Sequence, residues 1–217
     1  MTKSLVYNTI IILWILFQLP TEINCQPNFK PKQRQWHTAT FVGDKLYILD
    51  GVYLSNTTVN VNEFFYLDAS ISFNAKNPLW QNLPTSIVPA HDNAASAAGG
   101  TNNNTIFIFG GYTLNAYAAE LVYTFDTQSR IWNAPIIATT NTIVRKQALT
   151  GVMDNRGKMY LLGGSTTNVL TDLNDMVILD KINLSWGVGT LTDAPSPRMH
   201  YGAVLLPNQN IIMYIGE

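Results

Sequence analysis

Three arginines stand shortly before predicted strands and at similar distances from a following turn. Arg145 and Arg198 each lie 18 residues before a glycine, and Arg34 lies 16 residues before Asp50. A planar guanidinium can bind a carboxylate through two hydrogen bonds, which makes these arginines candidates for binding an anionic ligand group. The alternative is structural, because acidic residues in the same predicted sheets could pair with them: Glu63, Glu120 and Asp175.

Three histidines also recur at roughly one place per repeat: His37, His91 and His200. A three-histidine metal site would require all three side chains to converge. Inheritance of one position by successive repeats is the simpler cause, so we predict no metal site. Three carboxylates, those of Asp68, Asp126 and Asp180, fall at a fixed turn position and indicate turn chemistry instead of acid–base pairing.

Other catalytic motifs are missing from the sequence. It contains no glycine-rich phosphate loop before a helix, no nucleophile elbow and no histidine pair at helical spacing. We therefore predict no enzymatic activity and no cofactor for this chain.

The elements that carry these residues repeat along the chain. An apolar-aromatic strand ending in glycine occurs four times, as KLYILDG (45–51), TIFIFGG (105–111), KMYLLGG (158–164) and IMYIGE (212–217). Second motifs ending in Asp follow the first three, as EFFYLD (63–68), ELVYTFD (120–126) and DMVILD (175–180). A period of about 53 residues decides the architecture before any single residue is interpreted.

Each repeat reads as four short antiparallel strands. In the third repeat, 144–154 and 158–162 form a predicted hairpin around the turn 154–157, and 176–179 pairs with the strand around Trp186. Short strands in radial repetition predict an all-β fold, a β-propeller of four-stranded antiparallel blades. The predicted blades span about 30–84, 90–137 and 144–192, with a two-stranded remnant at 197–217.

The pattern resembles the kelch-repeat family over about residues 34–217. The resemblance rests on the glycines (Gly51, Gly110, Gly111, Gly163, Gly164, Gly216), the tyrosines of the third strands (Tyr66, Tyr123) and the tryptophans (Trp80, Trp132, Trp186). It implies that the glycine doublet closes the second strand, where positive φ and close backbone approach favour glycine. It also implies that each tryptophan packs between neighbouring blades.

The resemblance gives the arginines a possible ligand role. In some kelch proteins, arginines in this register surround the mouth of the central channel and bind anionic peptide groups. Here that would assign Arg34, Arg145 and Arg198 to a ligand face, while His91-Asp92 takes the place in the second repeat. Copper radical oxidases of the galactose oxidase type share a kelch-like propeller, but they need a Cys cross-linked to a Tyr, and the one cysteine here is Cys25.

Composition excludes some partners. Charged residues make up 12% of the chain, against about 25% in typical domains, and the formal net charge is −1. Without a basic field, neither nucleic acid nor an anionic membrane surface is an expected partner. A hydrophobic content of 47% is sufficient for packed sheets.

The N-terminus is typical of a secretory signal. Lys3 precedes an apolar run at 10–17, Pro20 interrupts it, and cleavage after Cys25 is predicted, leaving a mature segment of 26–217 with no membrane insertion. An uncleaved anchor is the alternative. Three sequons between predicted strands, at Asn56, Asn103 and Asn183, are candidates for N-glycosylation.

These features predict a secreted or cell-surface scaffold that binds a protein or carbohydrate ligand through loops on one face. About three and a half blades cannot close a ring, so the sequence is expected to be an incomplete propeller. Two alternatives stay open: the N-terminal part of a copper radical oxidase, and a structural cell-surface protein without a small ligand.

Overall fold

The computed structural model describes residues 29–84, 87–100, 102–114, 119–138, 143–166 and 171–216, without the side chains of 56–60. The predicted signal peptide at 1–25 and Glu217 lie outside the described residues. So does the side chain of Asn56.

The described residues form nineteen β-strands and no helix. The strands are β1 Arg34–Gln35, β2 Thr38–Val42, β3 Lys45–Leu49, β4 Val52–Tyr53, β5 Asn56–Asn60, β6 Phe64–Asp68, β7 Trp80–Leu83, β8 Ala95–Gly99, β9 Thr105–Phe109, β10 Val122–Asp126, β11 Ile131–Asn133, β12 Lys146–Gln147, β13 Gly151–Met153, β14 Lys158–Leu162, β15 Ser165–Thr166, β16 Met176–Asp180, β17 Ser185–Val188, β18 Gly202–Leu205 and β19 Ile212–Ile215.

Three four-stranded antiparallel sheets follow one another along the chain. Their strand orders are β2-β3-β6-β7, β8-β9-β10-β11 and β13-β14-β16-β17, and β18 pairs with β19 in a two-stranded sheet. The first strands β2, β8, β13 and β18 each contact the first strand of the next sheet. This radial arrangement is that of propeller blades, and it confirms the predicted all-β fold class.

The core lies between successive blades. One cluster joins Tyr47 and Phe64 of the first blade to Ile108 and Phe125 of the second. Another cluster joins Phe109 of the second blade to residues of the third blade and to Tyr201. The central strands are buried on both sides because each blade has a neighbour on each face, so β9 is buried at four of its five residues. Packing between blades therefore sets their spacing.

Two local features differ from the predicted strands. The predicted strand at 144–154 is divided into β12 and β13, because Ala148 between them adopts φ 59° and extended pairing cannot continue through it. β12 pairs with β15, outside the blade. A further small sheet in the order β1-β4-β5 lies beside the first blade.

Candidate functional site: the mouth of the central channel

Each first strand is preceded by a residue in the left-handed region. These residues are Trp36, Asn93, Ala148 and His200, with φ between 54° and 59°. Their backbones are linked in series: Asn93 N donates to Trp36 O at 2.8 Å, Ala148 N to Asn93 O at 2.9 Å, and His200 N to Ala148 O at 2.8 Å. The four repeats are thus joined by main-chain hydrogen bonds at one end of the first strands.

A cavity of about 290 Å³ opens at this end and is lined by all four repeats. The side chains that give it polarity and aromatic surface are those of Trp36, His37, Asn93, Ser96, His200 and Tyr201. Trp36 is 42% exposed there. Burial, followed by the charge of Arg34, lowers the pKa of His37, which favours a neutral imidazole. We call this cavity the channel mouth.

A second set of equivalent residues lies two positions before the left-handed ones. It consists of Arg34, His91, Lys146 and Arg198. The carbonyls of the last three accept hydrogen bonds from the second glycine of the preceding blade: Gly51 to His91 at 2.9 Å, Gly111 to Lys146 at 2.8 Å and Gly164 to Arg198 at 2.9 Å. A basic side chain therefore recurs wherever a glycine doublet joins two blades.

Sequence spacing had placed Arg145 in register with Arg34 and Arg198, but the structure places Lys146 there. Distances to the glycine cannot resolve this, because the preceding link varies by one or two residues. The distance to the first left-handed residue is constant at two. That signal depends on backbone conformation, which the sequence does not display.

Arg34 is held by its own chain. Its guanidinium binds the Glu63 carboxylate, donates to Asp50 O at 3.1 Å and lies 4.7 Å from the centre of the Phe65 ring. Burial alone would raise the pKa of Glu63, but the hydrogen bonds from Tyr53 and Arg34 outweigh it and the pKa is lowered. With a side chain only 4% exposed, Arg34 shows the structural pairing that was the alternative to ligand binding.

Arg145 also binds protein groups, although these are carbonyls. It donates to Gly110 O at 2.7 Å, Ala119 O at 2.8 Å and Glu120 O at 2.7 Å. Gly110 is equivalent to Asp50, so Arg145 serves the second blade as Arg34 serves the first. It fixes both ends of the connection between β9 and β10.

Arg198 differs from the other two. Its hydrogen bonds within the described part of the chain go to Ser196 alone, at 3.1 Å to the carbonyl and 3.0 Å to the hydroxyl. Of the three candidate arginines, Arg198 is the one whose guanidinium is not bound to a distant segment of the described structure. It stands two residues before His200 of the channel mouth.

The family comparison agrees with this geometry. The profile of the KLHDC2/KLHL20/DRC7 Kelch-repeats domain matches residues 36–217. The chain belongs to this kelch-repeat family. The comparison with individually curated proteins gives no match. A kelch-repeat domain implies a protein-interaction scaffold, and such domains are generally non-enzymatic.

The kelch tryptophans occupy two kinds of position. Trp132 lies 5.1 Å from Phe64 of the preceding blade, and Trp186 lies 5.6 Å from Phe109 of the preceding blade, between ring centres. Trp80 instead contacts Phe65 of its own blade at 5.2 Å, and Phe29 pairs with it through a backbone bridge. A segment before the first blade thus takes the place of a preceding blade there.

Two buried ion pairs were missed by the sequence reading. Lys146 is fully buried and its Nζ lies 2.7 Å from Asp175 Oδ1, although burial lowers the pKa of Lys146. Asp50 Oδ2 lies 2.9 Å from His91 Nδ1 across the junction of the first two blades. Burial raises the pKa of Asp50 despite the hydrogen bonds from His91. The one sequence signal for Asp50 was its replacement of the first glycine of a doublet.

Two searches of the described residues gave negative results. No group of three or more His, Cys, Asp or Glu side chains in that part of the kelch chain is arranged to hold a metal ion. No helix in the same residues is long and apolar enough to cross a membrane.

Proposed function

We propose that this kelch chain is a secreted or cell-surface recognition scaffold that binds a protein or glycan ligand at the channel mouth. The observation that carries the proposal is the cavity of about 290 Å³ to which all four repeats contribute. Its walls are fixed by the hydrogen-bonded series Trp36, Asn93, Ala148 and His200. A rigid frame that presents varied side chains is a common basis for recognition.

The lining suits a ligand that combines an apolar group with hydrogen-bonding groups. Trp36 offers exposed aromatic surface, and exposed His37 and His200 offer imidazole donors or acceptors. The lining contains no carboxylate. Arg198, with only local partners among the described residues, is a candidate for an anionic group at the edge of the same site.

The mouth is tested by selecting peptide and glycan ligands from libraries on the immobilised protein. Trp36→Ala and His200→Ala are expected to weaken a selected ligand by about tenfold or more, as for an aromatic hot spot. Gln128→Ala, in an exposed turn at the other end of a blade, is the matched control. Ligands that bind all three variants equally would place recognition elsewhere, and failure of both libraries would favour a structural protein.

Secretion is the second part of the proposal, supported by the leader-like residues 1–25 and the three sequons. Protein recovered from the medium of a eukaryotic culture is expected to begin at Gln26. Recovery of Met1 on a membrane-bound product would contradict this. The oxidase alternative is checked on the same material, where copper loading is expected to give no peroxide from galactose above a metal-free control.

A further inference from the structure

The face of the propeller opposite the channel mouth carries a second cavity, of about 330 Å³. It lies between the β8–β9 turn, the β13–β14 turn and the β18–β19 turn, so three successive blades contribute to it. Its volume is within the range of about 300–1,000 Å³ typical of small-ligand sites. We call it the turn pocket.

The floor of the turn pocket is apolar and its rim is polar. Ala98, Gly99 and Met153 supply the floor, while Asn155, Lys181 and Gln209 supply the rim. Asp154 also lines the pocket, but its carboxylate already accepts from Arg156 N at 3.0 Å, Lys158 N at 2.8 Å and the Tyr160 hydroxyl at 3.1 Å. What the rim offers a ligand is amide and ammonium groups. These suit hydroxyl and acetamide partners.

Asn103 lines the same pocket and begins the sequon Asn103-Asn104-Thr105. It is exposed, with φ 54°, and its side chain has no hydrogen-bond partner among the described residues. Asn183 provides a contrast, because its Nδ2 donates to Asp180 Oδ2 at 2.9 Å and it does not line this pocket. Of the two sequon asparagines with described side chains, only Asn103 has a cavity beside it.

We propose that Asn103 carries an N-linked glycan and that the turn pocket binds the first N-acetylglucosamine of that glycan. This inference rests on the proposed passage through the secretory pathway. Modification joins Asn103 Nδ2 to the anomeric carbon of the sugar. The bond from that carbon to the pyrophosphate of a lipid-linked oligosaccharide breaks, the lipid pyrophosphate leaves, and the amide nitrogen gives up one proton. The acetamide and hydroxyl groups of the bound sugar then meet Gln209 and Lys181, and its apolar ring face meets Met153.

The glycan is tested on the full chain secreted from eukaryotic cells, once with its own N-terminus and once behind an independent secretion signal. Thr58→Ala and Ser185→Ala remove the other two sequons and keep Asn183 in its turn. Mass spectrometry is expected to find a glycan on Asn103, lost in Thr105→Ala. Folded protein secreted behind the independent signal without that glycan would overturn the inference. Failure of the native N-terminus alone would overturn only the proposed secretion.

Docking is tested by the rate at which peptide:N-glycosidase removes the Asn103 glycan from native protein. Gln209→Glu keeps the acceptor for Asn155 N, a bond of 3.0 Å, but removes the amide donor, and Lys181→Ala removes the ammonium. Together they are expected to raise the native release rate about fivefold, the equivalent of about one net hydrogen bond. Gln128→Ala is the control, and equal release from unfolded samples checks the enzyme. Equal native rates in all variants would show that the sugar is not bound.

Discussion

Asp50 shows how one residue can take the place of a glycine when it brings its own hydrogen bonds. It is equivalent to Gly110 and Gly163 and shares their left-handed backbone, with φ 54°. Its carboxylate accepts from Glu63 N at 3.1 Å, His91 N at 3.2 Å and His91 Nδ1 at 2.9 Å. The side chain therefore offsets the backbone cost by joining the first blade to the second.

Replacing Asp50 with glycine is expected to destabilise the protein although it restores the doublet. The left-handed backbone becomes less costly by about 1 kcal/mol, but buried donors of Glu63 and His91 lose their acceptor, at about 1–3 kcal/mol. Urea unfolding followed by tryptophan fluorescence measures the difference. Asp50→Asn, which keeps one acceptor oxygen, is expected to fall between the two. A glycine variant as stable as the original would show that the carboxylate contributes nothing.

Glu63 is expected to contribute stability that depends on pH. Its pKa in the folded protein lies below the model value of 4.5, because the hydrogen bonds from Tyr53 and Arg34 outweigh the effect of burial. A lowered pKa means that this contribution is complete above the unfolded value and is lost as the pH falls through the folded value. Glu63→Gln is expected to flatten the loss of unfolding free energy between about pH 5 and pH 3. Asp44→Asn, in an exposed turn, serves as the control, and an unchanged acid slope in Glu63→Gln would contradict the assignment.

At the scale of the element, the ends of the second strands determine how closely two blades approach. A Cβ added to Gly110 would lie 2.2 Å from Lys146 O, a backbone atom that also accepts the bond from Gly111. Gly43 has a similar positive φ of 58°, but a Cβ there would meet nothing within 4 Å. The two glycines separate the cost of backbone strain from the cost of contact with the next blade.

Gly110→Ala is therefore expected to cost about 2–4 kcal/mol of unfolding free energy, and Gly43→Ala about 1 kcal/mol. Thermal and urea unfolding of the two variants provide the comparison. Equal losses would mean that the junction between blades relaxes to admit a methyl group.

Much of this element structure could be predicted from sequence. The period near 53 residues, the alternating strands and the turn at 154–157 predicted the four-stranded sheets, because hydrophobic alternation and turn chemistry are local signals. Register before the first strand was not predictable in the same way. It depends on the left-handed backbone at Ala148, so Lys146 was missed and Arg145 was given its place. The pairing of Asp50 with His91, 41 residues apart, also has no local signal.

At the scale of the whole molecule, the tryptophans transmit packing from blade to blade. Trp132 is buried against Phe64 of the preceding blade, whereas Trp80 is half-buried against Phe65 of its own blade. Trp132→Ala is expected to cost about 3–5 kcal/mol, as for a large buried aromatic side chain, and Trp80→Ala less. Chemical unfolding, monitored by circular dichroism, tests the order. A larger loss at Trp80 would mean that the first blade depends more on the segment containing Phe29 than on its neighbour.

The most direct test of the account is amide hydrogen exchange at the bonds that join the blades around the channel mouth. Gly111 N, Gly164 N and Ala148 N donate to Lys146, Arg198 and Asn93 at 2.8, 2.9 and 2.9 Å. If successive repeats form one rigid frame for the mouth, these amides will exchange as slowly as those of the central strands β9 and β14, and far more slowly than Gly43 in its exposed turn. Exchange of all three at the rate of Gly43 would contradict the rigid frame, and with it the proposed binding site.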